Sequence, residues 1–163
     1  GKAFAADLVA ANVPQLVGTD LLISLGGDLA IGHRDEHEIG GDESGGEQAW
    51  PVAVGEDPEA PPQQVVHLSH GGLATSSTLR RRWQRGGRAV HHIIDPRTGT
   101  SAVEVWRTVT VAAPSCLQAN TASTVSLVLG EQAPAWLEPR QWPSRLVRVD
   151  GAVTYLSRWP HPQ

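Results

Sequence analysis

Residues 91–100 read HHIIDPRTGT, which places a histidine pair, an acid, an arginine and hydroxyls in one short stretch. On a strand His91 and His92 point to opposite faces, so only one of them shares a face with Ile94. Asp95-Pro96 stiffens the turn that follows, Thr98-Gly99 closes it, and Arg97 is placed to pair with Asp95 or with a phosphate. A histidine beside a phosphate site suits general-base chemistry, although isolated histidines serve structure more often.

Three further stretches carry polar groups at useful spacing. Gly26-Gly27-Asp28 follows an apolar run; its glycines permit positive φ and close approach of a ligand, and the acid accepts from hydroxyls or amines. The same residues also make an ordinary hairpin turn, and the G-x-G-x-x-G spacing of a dinucleotide loop is absent. Thr75-Ser76-Ser77 offers hydroxyls after a strand, with Arg80 to Arg82 close by. The alternatives there are a phosphate-binding turn and a serine-capped start of a short helix. Asn120 and Thr124 are neighbours on one helical face, where two oxygens can share a magnesium ion or simply line a helix–sheet seam. Magnesium prefers a carboxylate, and Asn120 offers a neutral amide oxygen. Cys116 lies in a small, neutral stretch with no support for a thiolate, and no G-x-S-x-G, H-E-x-x-H or P-loop motif occurs.

The elements that must position these groups read as follows. Lys2 to Asn12 is an alanine-rich helix with Phe4, Leu8 and Ala11 on one face and Pro14 just beyond its end. Leu21–Leu25 and Leu29–Ile31 are short strands around the Gly26-Gly27-Asp28 turn. His33 to Gln48 is an acidic, glycine-rich loop. Trp50–Val54 and Gln64–Leu68 alternate as strands, Leu73–Thr75 is another, and Ala89–Ile94 and Val103–Ala112 follow. Pro114 to Gly130 brackets the clearest helix, striped by Leu117, Thr121, Val125 and Val128, and Ala133–Leu137 is a second, shorter one. Arg145–Val149 and Ala152–Leu156 flank Asp150-Gly151, a hairpin signal. Hairpin-like neighbours and few helices define an α+β class: a mainly antiparallel sheet with a long helix from the C-terminal half packed on it.

The chain of 163 residues is of single-domain size, with 40% hydrophobic and 18% charged residues. Its net charge of −4 argues against a general nucleic-acid binder. No run is long and apolar enough for a membrane helix, and a single cysteine excludes an internal disulfide. The sequence opens at Gly1, without methionine and within an apparent helix, so a fragment of a longer chain is expected.

Taken in order, Lys2-Ala3-Phe4-Ala5-Ala6-Asp7, Leu25-Gly26-Gly27-Asp28, Ala74-Thr75-Ser76, His92-Ile93-Ile94-Asp95-Pro96-Arg97-Thr98-Gly99, Val109-Thr110-Val111 and Ala119-Asn120 with Thr124 resemble the ApbE family. The resemblance runs from the first residue to about Gly151. It implies an ApbE-like, T-fold-like domain of which residues 1–163 are the C-terminal portion, the N-terminal part being absent. It also implies an FAD:protein FMN transferase that consumes FAD, needs Mg2+ and attaches FMN to a threonine or serine of an acceptor flavoprotein. Bacterial members often work outside the cytoplasmic membrane; the residues themselves fix no compartment. By the same resemblance His92 is the catalytic base. Lys2, Asp7, Gly26, Gly27, Asp28, Thr75, Ser76, His92, Ile94 and Asp95 serve FAD, and Asn120 and Thr124 stand at the metal positions. Asn120 replaces an aspartate of the family, Ser77 the glycine of T-S-G, and Ala3 the glycine after the lysine. Asn120 gives the alternative expectation of an FAD-binding relative with weak or no transfer.

Overall fold

The computed structural model describes residues 1–34, 49–57 and 59–161, so most of the expected acidic loop lies outside the described residues. Gly26 and Gly27 have φ values of 65° and 90°, the paired positive angles that a tight turn between right-twisted strands demands. They join β1 (Leu21–Leu25) to β2 (Asp28–Gly32). The next extended runs are β3 (Trp50–Val54), β4 (Gln64–Leu68) and β5 (Gly72–Ser77). Two small hairpins follow, β6 (Arg82–Arg85) with β7 (Arg88–His91), and β8 (Ile94–Asp95) with β9 (Thr100–Ser101). β10 (Trp106–Ala113), β11 (Ser144–Arg148) and β12 (Val153–Leu156) complete the set.

One six-stranded sheet, ordered β1-β2-β5-β10-β11-β12, is antiparallel throughout. On one face lie the helices α1 (Lys2–Val17) and α2 (Cys116–Leu129); the other face is covered by the separate β3–β4 hairpin. The short α3 (Ala133–Leu137) follows α2 and buries Ala133 and Leu137 in the main core. The α+β class and the strands expected at β1 to β4 are those observed.

Both long helices differ from expectation in the face they bury. Phe4 and Leu8 are 57% and 55% exposed, whereas Ala3 and Ala6 are buried against Ala30 and Cys116. α2 likewise leaves Leu117 exposed and buries Cys116, Ala119, Ala122, Ser123, Ser126 and Leu127. Close approach selects small residues over large ones. A methyl group on Gly72 would sit 2.3 Å from the Cys116 amide nitrogen, and one on Gly32 would sit 2.3 Å from the Ala10 carbonyl oxygen. Pro14 lies inside α1 and does not end it. It lacks the N–H that would bond the Ala10 carbonyl, and that carbonyl is the one pressed on Gly32.

Three local expectations also change. Residues 75–77 lie within β5 and form neither a turn nor a helix start. The expected strand 89–94 breaks after His91, and β10 begins at Trp106 because Val103 is outside the sheet. α2 itself falls between Pro114 and Gly130 as expected, capped by Ser115, whose hydroxyl accepts from the Gln118 amide at 3.2 Å.

Gly72→Ala should cost about 2–3 kcal/mol or more in urea unfolding, since backbone lines the clash and cannot swing aside. Unchanged stability would mean that α2 does not rest on β5 this tightly.

Candidate active site

Asp7 projects from α1 onto the start of α2. Its two carboxylate oxygens accept from the amides of Cys116 and Leu117, each at 2.8 Å. Those amides have no partner within their own helix, and a carboxylate there also meets the positive end of the helix dipole. At the same end of α1, the Lys2 ammonium donates to the Gly26 carbonyl at 3.4 Å. α1 thereby ties the β1–β2 turn to the N-terminus of α2.

A polar seam opens between that turn, β5 and α2. Asn120 Nδ2 donates to Asp28 Oδ1 at 3.1 Å, with Asp28 buried. One turn further on, Thr124 Oγ1 and Ser76 Oγ are 2.9 Å apart, and Ser76 also meets Ser123 at 2.8 Å. Asp28, Ser76, Asn120 and Thr124 therefore form one strip of oxygen-rich side chains. Thr75 is not part of it: strand alternation turns it to the opposite face, where its hydroxyl meets that of Thr110 at 2.8 Å. Ser123 was not singled out from sequence; its i+3 spacing from Asn120 on α2 is the signal that places it beside the strip.

The segment that carries His92 leaves β5 at Ser77 and returns after the β6–β7 hairpin. The His92 amide donates to the Arg81 carbonyl at 3.2 Å. Burial, then repulsion from Arg81 and His91, holds the imidazole below its ordinary value, so it is neutral at pH 7. Its Nδ1 is buried and has no hydrogen-bond partner among the described residues. His91, by contrast, is a satisfied core residue, bonded through Nε2 to the Ala102 carbonyl and through Nδ1 to the Ile93 amide. Arg97 forks onto Asp95 at 2.8–3.2 Å, and this pairing holds the Asp95 carboxyl below the usual range. Asp95 also accepts from the Arg97 amide, while Ile94 is exposed. Burial pushes the Cys116 thiol up to about 12, which leaves it inert as a nucleophile.

The strip supplies hard oxygen donors with one carboxylate, the chemistry that suits magnesium shared with phosphate. Among the described residues no group of three or more His, Cys, Asp or Glu could hold a metal alone.

A six-stranded antiparallel sheet, two close-packed helices on one face and a glycine turn facing an oxygen-rich helix define an α+β domain. The ApbE family model matches residues 1–145, and the chain belongs to the ApbE family. It is 34% identical over 134 residues to an FAD:protein FMN transferase of Salmonella typhimurium, covering 81% of this chain and 36% of that protein. The Escherichia coli K12 protein of the same name is 30% identical over 158 residues, 96% of this chain and 40% of its own length. Among solved structures, the ApbE protein of Thermotoga maritima superposes with a TM-score of 0.75 at 25% identity, covering 95% of this chain and 48% of that one. The apo flavinyl transferase ApbE of Pseudomonas stutzeri gives 0.68 at 28% identity, with 94% and 46% covered. The chain thus spans between about a third and a half of these relatives' lengths.

Asn120→Asp should set two carboxylates against each other where a hydrogen bond now stands. We expect a loss of about 1–3 kcal/mol at pH 7, regained in acid or with Mg2+. A melting temperature that ignores Mg2+ in this variant would show that position 120 does not face a cation. The His92 ring should titrate below the ordinary imidazole value by NMR. Its depressed value makes its contribution to stability full above the unfolded-state value and lost as pH falls through the folded one.

Proposed function

We propose that the complete protein is an FAD:protein FMN transferase, with this chain as the C-terminal portion of its single domain. It splits the pyrophosphate of FAD, releases AMP and leaves FMN joined through a phosphoester to a threonine or serine of an acceptor flavoprotein. The observation that carries this reading is His92, neutral at pH 7 and with a buried ring nitrogen that has no partner. The ApbE assignment supplies the context.

In this mechanism the unprotonated ring nitrogen of His92 takes the proton of the acceptor hydroxyl. The hydroxyl oxygen forms its bond to the FMN-side phosphorus as the bond to the AMP oxygen breaks. Gly26 and Gly27 let the backbone approach FAD, while Lys2 places positive charge beside that turn. Asp28 and Ser76 offer polar contacts to FAD, and Ile94 and Asp95 shape the wall next to His92. Asp7 acts by holding the start of α2, and Thr75 acts from behind the strand through Thr110. Asn120 Oδ1 and Thr124 Oγ1, with Asp28 beside them, would hold Mg2+, which when bound neutralises phosphate charge.

One observation favours a second reading, FAD binding with weak or no transfer. The Asn120 amide already satisfies Asp28 by a direct hydrogen bond, so the strip carries one negative charge fewer than a pair of carboxylates would.

The test is to incubate the full-length protein with FAD, Mg2+ and a threonine-bearing acceptor peptide, and to look for the mass of an added FMN. His92→Ala should reduce transfer by about 10²–10⁴-fold and spare FAD binding. FAD binding without any mass gain would select the second reading. Loss of FAD binding in His92→Ala would make His92 a pocket wall and not a base.

A further inference from the structure

Between Glu59 and Asp95 the sequence contains no acidic residue, yet five of its thirteen lysines and arginines fall at positions 80, 81, 82, 85 and 88. This cluster stands in a chain of net charge −4. All of it lies on or beside the β6–β7 hairpin, a two-stranded arm outside the main sheet, and every residue of β6 is exposed.

Two of these arginines have structural employment. Arg80 pairs with Asp57, and Arg82 forks onto Glu104, which pins the root of the arm. Arg81, Arg85 and Arg88 pair with no carboxylate among the described residues. The register sets Arg85 directly opposite Arg88, and Trp83 directly opposite Val90. Opposed residues project to the same face of an antiparallel pair, so Trp83, Val90, Arg85 and Arg88 share one side. Two like charges set directly across a pair destabilise it, and no carboxylate among the described residues offsets this pair. Beside them Trp83 is 49% exposed. Exposed tryptophan and arginine are the residue types that most often anchor protein interfaces.

The arm ends where the proposed chemistry begins. β7 finishes at His91, and His92 is held by the Arg81 carbonyl at the foot of β6. The root of the arm thus adjoins His92, the residue to which an acceptor hydroxyl would come. We propose that the β6–β7 hairpin is the docking arm for the acceptor protein, and that Arg85, Arg88 and Trp83 engage an acidic segment flanking the target hydroxyl. This rests on the transferase reading for the identity of the partner, not for the existence of the surface.

Fluorescence anisotropy tests it with the chain and a labelled peptide that carries one threonine among four Asp or Glu residues. The control peptide has Asn and Gln in place of the acids. At about 50 mM salt the acidic peptide should bind at least about tenfold more tightly than the control, and the difference should shrink at about 300 mM. Arg85→Glu with Arg88→Glu should abolish the preference, and Arg85→Lys with Arg88→Lys should keep most of it; both sites are exposed, so circular dichroism should be unchanged. Equal binding of the two peptides, or a preference that survives charge reversal, overturns the proposal. So does a parallel loss of FAD affinity, which would assign the arm to the nucleotide. Binding to phosphatidylserine vesicles without binding to the peptide would assign it to a membrane and also overturns it. Because anisotropy requires no transfer, acidic-peptide binding through Arg85 and Arg88 without FMN addition upholds the arm and counts against the transferase reading alone.

Discussion

Helix α2 rests on β5 with backbone nearly touching backbone, at the place where Gly72 meets the Cys116 amide. A side chain on either surface would lift the helix, so the contact is made by glycine, alanine and serine. α1 repeats the arrangement on β2, where Gly32 meets the Ala10 carbonyl. This closeness brings Asn120 within hydrogen-bond reach of Asp28 and Thr124 within reach of Ser76. A helix seated higher would leave those pairs bridged by water or unmade.

The second constraint is electrostatic. Seating α2 this way buries the start of the helix, and its unpaired amides need an acceptor. Asp7 supplies both oxygens from α1, which fixes one helix against the other. Lys2, five residues earlier on the same helix, reaches Gly26 from the same end. The lysine and aspartate thus act as a brace between the glycine turn and the first turn of α2.

His92 sits at the other boundary, where the sheet gives way to small hairpins. Its neighbours are satisfied: His91 by Ala102 and Ile93, Asp95 by Arg97. Its own Nδ1 is buried without a partner among the described residues, a costly state unless water or a ligand group meets it. The exposed arginine pair of β6–β7 is a similar unbalanced feature on the surface, and it stands on the same connection.

By itself the sequence determined the strands β1 to β4, the glycine turn at 26–27 and the span of α2. Each of these depends on neighbours only a few residues away: alternation, positive φ and a capping serine. The order of the motifs pointed to the family, whereas the period-2 reading of His91 to Ile94 assumed one continuous strand, which breaks after His91. What each helix buries was decided only in three dimensions. The apolar stripe of Phe4 and Leu8 faces outward, because the depth at which a helix meets a sheet is set by the partner strand's glycine. Tertiary structure also gave Asp7 to the start of α2 and joined Asn120 to Asp28. Those partners lie up to 110 residues apart. Local sequence sets the geometry of a residue, but not what arrives to meet it.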